Sequence, residues 1–177
     1  MLKKCCREVL VVDTCVVITL ANLGILHFLN NLANKCNTCI IAPQGVVEEL
    51  QRGKSCIDLH TLLVSIQAPS TQSQALISRV DIPRSLGRGE REVIALTFEL
   101  VKQNCNAFVV TDDKKARSAA NKLNLQFTGS IGIIERLKKC RVIDKNNAIN
   151  LIARLLQTSH RMDSKTISFA INKIQSQ

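Results

Sequence analysis

Residues 8–24 read EVLVVDTCVVITLANLG, and residues 107–117 read AFVVTDDKKAR. In each, an aliphatic run of strand length stops at a carboxylate and passes into a segment of helical character. Glu8 to Val12 suit a buried strand, and Asp13 follows at once. Ala107 to Thr111 repeat the pattern, with Asp112 and Asp113 behind them. A continuous apolar run, rather than an alternating one, marks a strand covered on both faces. The carboxyl ends of such strands are where open α/β sheets build their sites. The decisive matter is therefore whether these acids meet.

The rest of the chain supplies the other layers. TCIIAP (38–43) and LLVSIQAP (62–69) predict two more strands, and LQFTGS (125–130) a short fifth. Val16, Leu20, Leu23, Leu26 and Leu29 recur at steps of three or four and predict one helix over 16–34. Residues 44–53 predict a helix ended by Gly53, with Arg52 in its last turn. Residues 70–80 are polar and rich in Ser and Gln, a helix or a loop. Two glycines then open a long amphipathic helix over 84–104. Shorter helices are expected over 114–123 and 131–139, and two more over 147–157 and 164–174.

Strands alternating with helices predict an α/β fold: an open, mainly parallel sheet of about five strands with right-handed crossovers and helices on both faces. Residues 1–143 form the α/β domain in this reading, and 144–177 a short helical C-terminal extension. Strands one and four are expected as neighbours at a topological switch point, which brings Asp13 beside Asp112 and Asp113.

Composition narrows the function. The chain has 177 residues, 24 Lys and Arg against 14 acids, and a formal charge of +10. That surplus points to a polyanion, with nucleic acid ahead of an anionic membrane. Aromatic residues make up only 3%, with no Trp or Tyr. Phosphate contacts are thus expected rather than base-stacking platforms. No apolar stretch approaches the roughly 20 residues of a membrane span. With no secretory signal in view, the expectation is a cytoplasmic protein with its eight cysteines reduced. CNTC (36–39) has the spacing of half a zinc site but no second half, so the cysteines read as small hydrophobes. His27, His60 and His160 share no metal-ligand spacing.

Two further acidic places belong to the same edge. Glu48 and Glu49 sit on the helix that follows strand two, and Glu90 opens the helix over 84–104. Taken singly, Glu90 is a first-turn glutamate facing the helix dipole and Glu48 a solvated helix residue. Gathered at one edge, such carboxylates repel one another unless a cation lies between them. Hard divalent ions, Mg²⁺ or Mn²⁺, prefer these oxygen ligands. Arg88, Arg91, Lys114, Lys115 and Arg117 flank the acids, either as phosphate contacts or as their counter-charges.

At these residues the sequence resembles a known family. VLVVDTCVVITLANLG, IIAPQGVVEELQRG, LGRGEREVIALTFEL and VVTDDKKARSAANKLNLQFTGSIGIIERLKK look like the four blocks of a PIN domain, in order. They look most like the prokaryotic predicted nucleic-acid-binding PIN proteins, relatives of the type II toxin ribonucleases. The resemblance covers roughly Glu8 to Ile143. It implies a metal-dependent endoribonuclease using Mg²⁺ or Mn²⁺, with RNA as substrate and an antitoxin protein and a second copy of the chain as partners. The first family Asp falls on Asp13, the helical Glu before a Leu on Glu49 rather than Glu48, and the third acid on Glu90. The fourth falls on Asp112 or Asp113. Thr14 matches the hydroxyl residue that often follows the first Asp. The other reading is a catalytically weak nucleic-acid-binding PIN module that acts through partners. A haloacid-type phosphatase would need Asp-x-Asp where the chain has DTC. A response-regulator receiver would need a Lys ending the last strand, and LQFTGS has none.

Overall fold

The structure is a computed structural model and describes residues 6–53, 57, 64–67, 75, 77, 82–158 and 163–176. Its order is β1 (Glu8–Val12), α1 (Thr14–Asn22), α2 (Phe28–Cys36), β2 (Thr38–Pro43), α3 (Gln44–Arg52), β3 (Val64–Gln67), α4 (Arg88–Lys102), β4 (Ala107–Val110), α5 (Lys114–Lys122), β5 (Gln126–Thr128), α6 (Ser130–Lys139), α7 (Lys145–Thr158) and α8 (Ser164–Gln175). Residues 70–74, 76, 78–80, His60, His160, Cys5 and Cys56 lie outside the described residues, as do the ends of the strand expected over 62–69.

The five strands form one parallel sheet in the order β3-β2-β1-β4-β5. β1 is central, with Val11 beside Ile41 of β2 on one side and Val109 of β4 on the other. Val9 to Val12 are all buried, which is why this strand reads as a continuous apolar run. The chain moves from β1 outward to β2 and β3, then returns to place β4 on the far side of β1. The switch point therefore lies between β1 and β4, as the sequence led one to expect.

Helix α4 packs on β1, β2 and β4 and against α3 and α5. Helices α1 and α2 each pack on α6, and α7 packs on α1 and α6 with α8 against it. Ala148, Ile152, Leu155, Ile167, Ala170 and Ile174 of the last two helices are buried within the same aliphatic core as the sheet. Among the described residues, no helix is long and apolar enough to cross a membrane.

Two expectations are corrected. The helix expected over 16–34 is two helices. Gly24 takes φ of +75° between them, a left-handed conformation that breaks the helix and that glycine adopts without a Cβ clash. The cysteines are not all reduced: Cys6 pairs with Cys39, and Cys36 with Cys140, as disulfides. Parallel pairing of β1 with β2 sets Val9 opposite Cys39 and so carries Cys6 close to it. Packing of α2 on α6 brings their C-terminal ends together, where Cys36 ends one helix and Cys140 caps the other. The Cα atoms are 5.8 and 6.1 Å apart, within disulfide reach. The two thiols of CNTC thus enter different disulfides rather than one metal site. Cys15 and Cys105 stay free and pack partly buried against the core, in line with their reading as small hydrophobes.

Candidate active site

Asp13 follows the last residue of β1 and caps α1. Its Oδ1 accepts the amide of Thr14 at 2.8 Å. Its Oδ2 accepts the Cys15 thiol at 2.9 Å and the Thr111 hydroxyl at 2.9 Å. Thr111 directly follows β4, so this last bond ties together the segments just beyond the two strands at the switch point. Asp13 is only 2% exposed. Burial pushes its carboxyl above the ordinary carboxylate range; the hydrogen bonds oppose that, and the charge of nearby Glu49 adds to it.

Glu49 comes from α3. Its Oε2 accepts the Thr14 hydroxyl at 2.6 Å and its Oε1 the amide of Gly89 at 2.9 Å. Thr14 thus joins the turn after Asp13 to Glu49. Gly89 is needed for the second contact: a Cβ there would fall 2.8 Å from Glu49 Oε2. Glu90 reaches back along its own helix, accepting the Gly87 amide at 2.8 Å in the manner of a capping glutamate. A Cβ on Gly87 would lie 3.6 Å from Glu49 Oε1 and 3.7 Å from Glu90 Oε2, so both carboxylates border that residue.

The neighbouring acids are held differently. Glu48 meets Arg88 at 2.8 Å and Arg52 at 3.0 Å. Buried Glu92 accepts Arg88 Nε at 2.8 Å and the Gly45 amide at 2.7 Å, locking α3 to α4. Asp112, 4% exposed, accepts Arg117 Nη2 at 3.1 Å, the Ser130 amide at 3.0 Å and the Ser130 hydroxyl at 2.5 Å. It fastens the end of β4 to the start of α6. Asp113 caps α5, with Oδ1 accepting the amides of Lys115 and Ala116 at 2.8 and 2.9 Å.

The structure therefore brings Glu49 close to Asp13 on one side and beside Gly87, which Glu90 also borders, on the other, with the Thr111–Asp113 turn bonded to Asp13. It also assigns two of the five flanking cations. Arg88 and Arg117 serve as counter-charges to acids. No Lys or Arg is ion-paired with Asp13 or Glu49 among the described residues. Thr111, Gly89 and Ser130 were missed in the sequence. Thr111 and Gly89 each stand directly before a candidate acid, and that adjacency was the available signal. Burial first, then the adjacent Asp13, pushes the Cys15 thiol up to about 12, which favours its neutral form. His27 ends up beside Phe28, ring centroids 4.3 Å apart, at the start of α2.

The donors fit a hard divalent cation in kind, being carboxylate and hydroxyl oxygens around a buried, cation-free aspartate. Among the described residues, no three acid, His or Cys side chains are gathered as a ready-made ligand set.

An open parallel sheet with acids at the carboxyl edge of its switch point defines the class. The family model for the PIN domain matches residues 9–176, and the chain belongs to the PIN domain family. PIN domains are nucleic-acid-binding modules of nuclease type that generally use divalent metals. The match runs through both C-terminal helices. No curated protein matches the chain.

Proposed function

We propose that this protein is a metal-dependent endoribonuclease, and that Asp13, Glu49 and Glu90 hold a Mg²⁺ or Mn²⁺ ion, with the turn Thr111-Asp112-Asp113 supplying the fourth acid. The observation that carries this is the state of Asp13: buried, close to a second carboxylate, and bonded only to neutral donors. Its capping of α1 accounts for one oxygen, but a buried carboxylate beside a second carboxylate is costly unless a cation is expected there.

A bound ion would supply water activation and stabilisation of charge developing on phosphorus. The chain's own residues do the positioning. Thr14 and the Gly89 amide fix both oxygens of Glu49, and Thr111 fixes Oδ2 of Asp13. Arg117 and Ser130 hold the turn that bears the fourth acid. The surplus of +10 draws in the RNA backbone. Action as a toxin restrained by an antitoxin protein, and as a homodimer, accords with the resemblance in the four sequence blocks, and a cytoplasmic location with the expectation drawn from the sequence.

The test is cleavage of RNA by native protein and Asp13→Asn, each with chelator and with Mn²⁺. Cleavage only by native protein with Mn²⁺ supports the enzyme. One observation favours the second reading: Arg117 already neutralises Asp112. RNA binding without cleavage under every condition would establish the binding module instead.

A further inference from the structure

Among the described residues four large apolar side chains are exposed, and two of them, Phe127 at 41% and Phe169 at 72%, line the same cavity. The cavity measures about 580 Å³ and lies between β5 with the start of α6 and one face of α8. Asp112 lines it too, so it opens beside the turn that bears the fourth acid. An exposed phenylalanine keeps a large apolar face in water and has no polar group to offset it. Two from different elements at one cavity define a place for a flat apolar partner.

The charges there are balanced. Arg117 pairs with Asp112 and Lys173 with Glu135 at 2.9 Å, while the Asp163 carboxyl, held below its ordinary range chiefly by hydrogen bonds from Thr166, also feels the charge of Lys114. The cavity therefore offers no net charge to grip a phosphate. It offers aromatic faces with a polar rim, which match the faces and hydrogen-bonding edge of a nucleobase. Attraction for the polyanion comes from the molecule as a whole, at +10. The volume suits one small ligand rather than a protein helix.

We propose that this cavity is a base-binding subsite, in which Phe127 and Phe169 stack on an unpaired nucleotide of the RNA strand next to the cleavage site. The proposal rests on the nuclease reading for its substrate. It gives the C-terminal helix α8 a role in recognition. It also revises the expectation that a chain without Trp and Tyr contacts phosphates alone, since exposed phenylalanines stack as well.

The experiment measures binding rather than cleavage, so it stands apart from the nuclease test. An end-labelled single-stranded RNA about ten nucleotides long is titrated by fluorescence anisotropy. The proteins are Asp13→Asn, Asp13→Asn/Phe169→Ala and Asp13→Asn/Phe127→Ala. The oligonucleotide is used intact and with an abasic nucleotide at each position in turn. Phe169→Ala should weaken binding roughly tenfold, the usual worth of one stacked base. At one abasic position that loss should vanish, because base and ring are then missing together. Unchanged affinity in Asp13→Asn/Phe169→Ala overturns the proposal, as does an equal loss at every abasic position. Unchanged affinity together with conversion of a dimer to a monomer in light scattering overturns it in favour of a self-association face. Phe169, the more exposed ring, keeps the test decisive even where Phe127→Ala fails to fold. If Asp13→Asn cleaves RNA as native protein does, the assignment of Asp13 to the metal site fails while the binding result still decides the subsite.

Discussion

Strand β1 begins at one carboxylate and ends against another, and the two are treated in opposite ways. Glu8, at the amino edge of the sheet, accepts Arg136 Nε at 3.1 Å and is half-buried. Around it lies a cavity of about 840 Å³, lined by Arg7, Lys138, Lys139 and Lys173 among others, with both disulfides close by. Asp13, at the carboxyl edge, is more deeply buried and is bonded only to an amide, a thiol and a hydroxyl. The amino edge satisfies its acid from within. The carboxyl edge leaves its acid with neutral donors and a like charge in Glu49. Stability alone would favour the first arrangement at both ends. On the proposed reading, the carboxyl edge is organised around a charge the chain does not itself supply.

Changes at the two edges should therefore separate activity from stability. Asp13→Asn should lower RNA cleavage in Mn²⁺ by roughly a thousandfold, since Lewis-acid stabilisation is worth several kcal/mol. RNA binding should persist, because phosphate contacts do the holding. A gel assay of turnover beside anisotropy checks both halves. At the amino edge the order reverses. Cys140→Ser removes a disulfide linking residues 104 apart in sequence and should cost about 2–4 kcal/mol in urea unfolding under oxidising conditions, with cleavage retained.

Smaller effects sharpen the contrast. Arg136→Ala strips the cation from half-buried Glu8 and should cost about 1–3 kcal/mol, with cleavage again retained. A large loss of turnover there would break the division between the edges. The smallest change is expected at Arg52→Ala, on the solvent side of α3. Its i,i+4 pair with Glu48 is worth about 0.3–0.5 kcal/mol and touches neither edge.

The fold was largely legible because its strands are buried on both faces and so stand out as aliphatic runs. The adjacency of β1 and β4 followed from the same pattern, since acids trail both. Sequence spacing could not show the direction of each side chain. Glu48 and Glu49 are neighbours on one helix, yet a turn of 100° per residue sends one to Arg88 and the other to Thr14. The break at Gly24 was hidden because Leu23, Leu26 and Leu29 keep helical spacing across it. The disulfides were hidden because pairs 33 and 104 residues apart depend on tertiary packing. Asp112 and Asp113 could not be told apart in sequence. In the structure one is fastened to Ser130 and Arg117, and the other caps α5.

Thermal unfolding of native protein and Asp13→Asn, each in chelator and in Mn²⁺, tests the central claim most directly. Burial holds the folded-state carboxyl of Asp13 above its ordinary value of 3.8, so its charge opposes folding at neutral pH. That penalty is full above the folded-state pKa and is gone once the pH drops below the unfolded value. In chelator at neutral pH, Asp13→Asn should be at least as stable as native protein, and its advantage should shrink as the pH falls through the folded-state pKa. Mn²⁺ at about a hundred times its Kd should stabilise native protein by roughly 2.7 kcal/mol and Asp13→Asn far less. A mutant that loses stability in chelator and gains as much from Mn²⁺ as native protein would contradict the account.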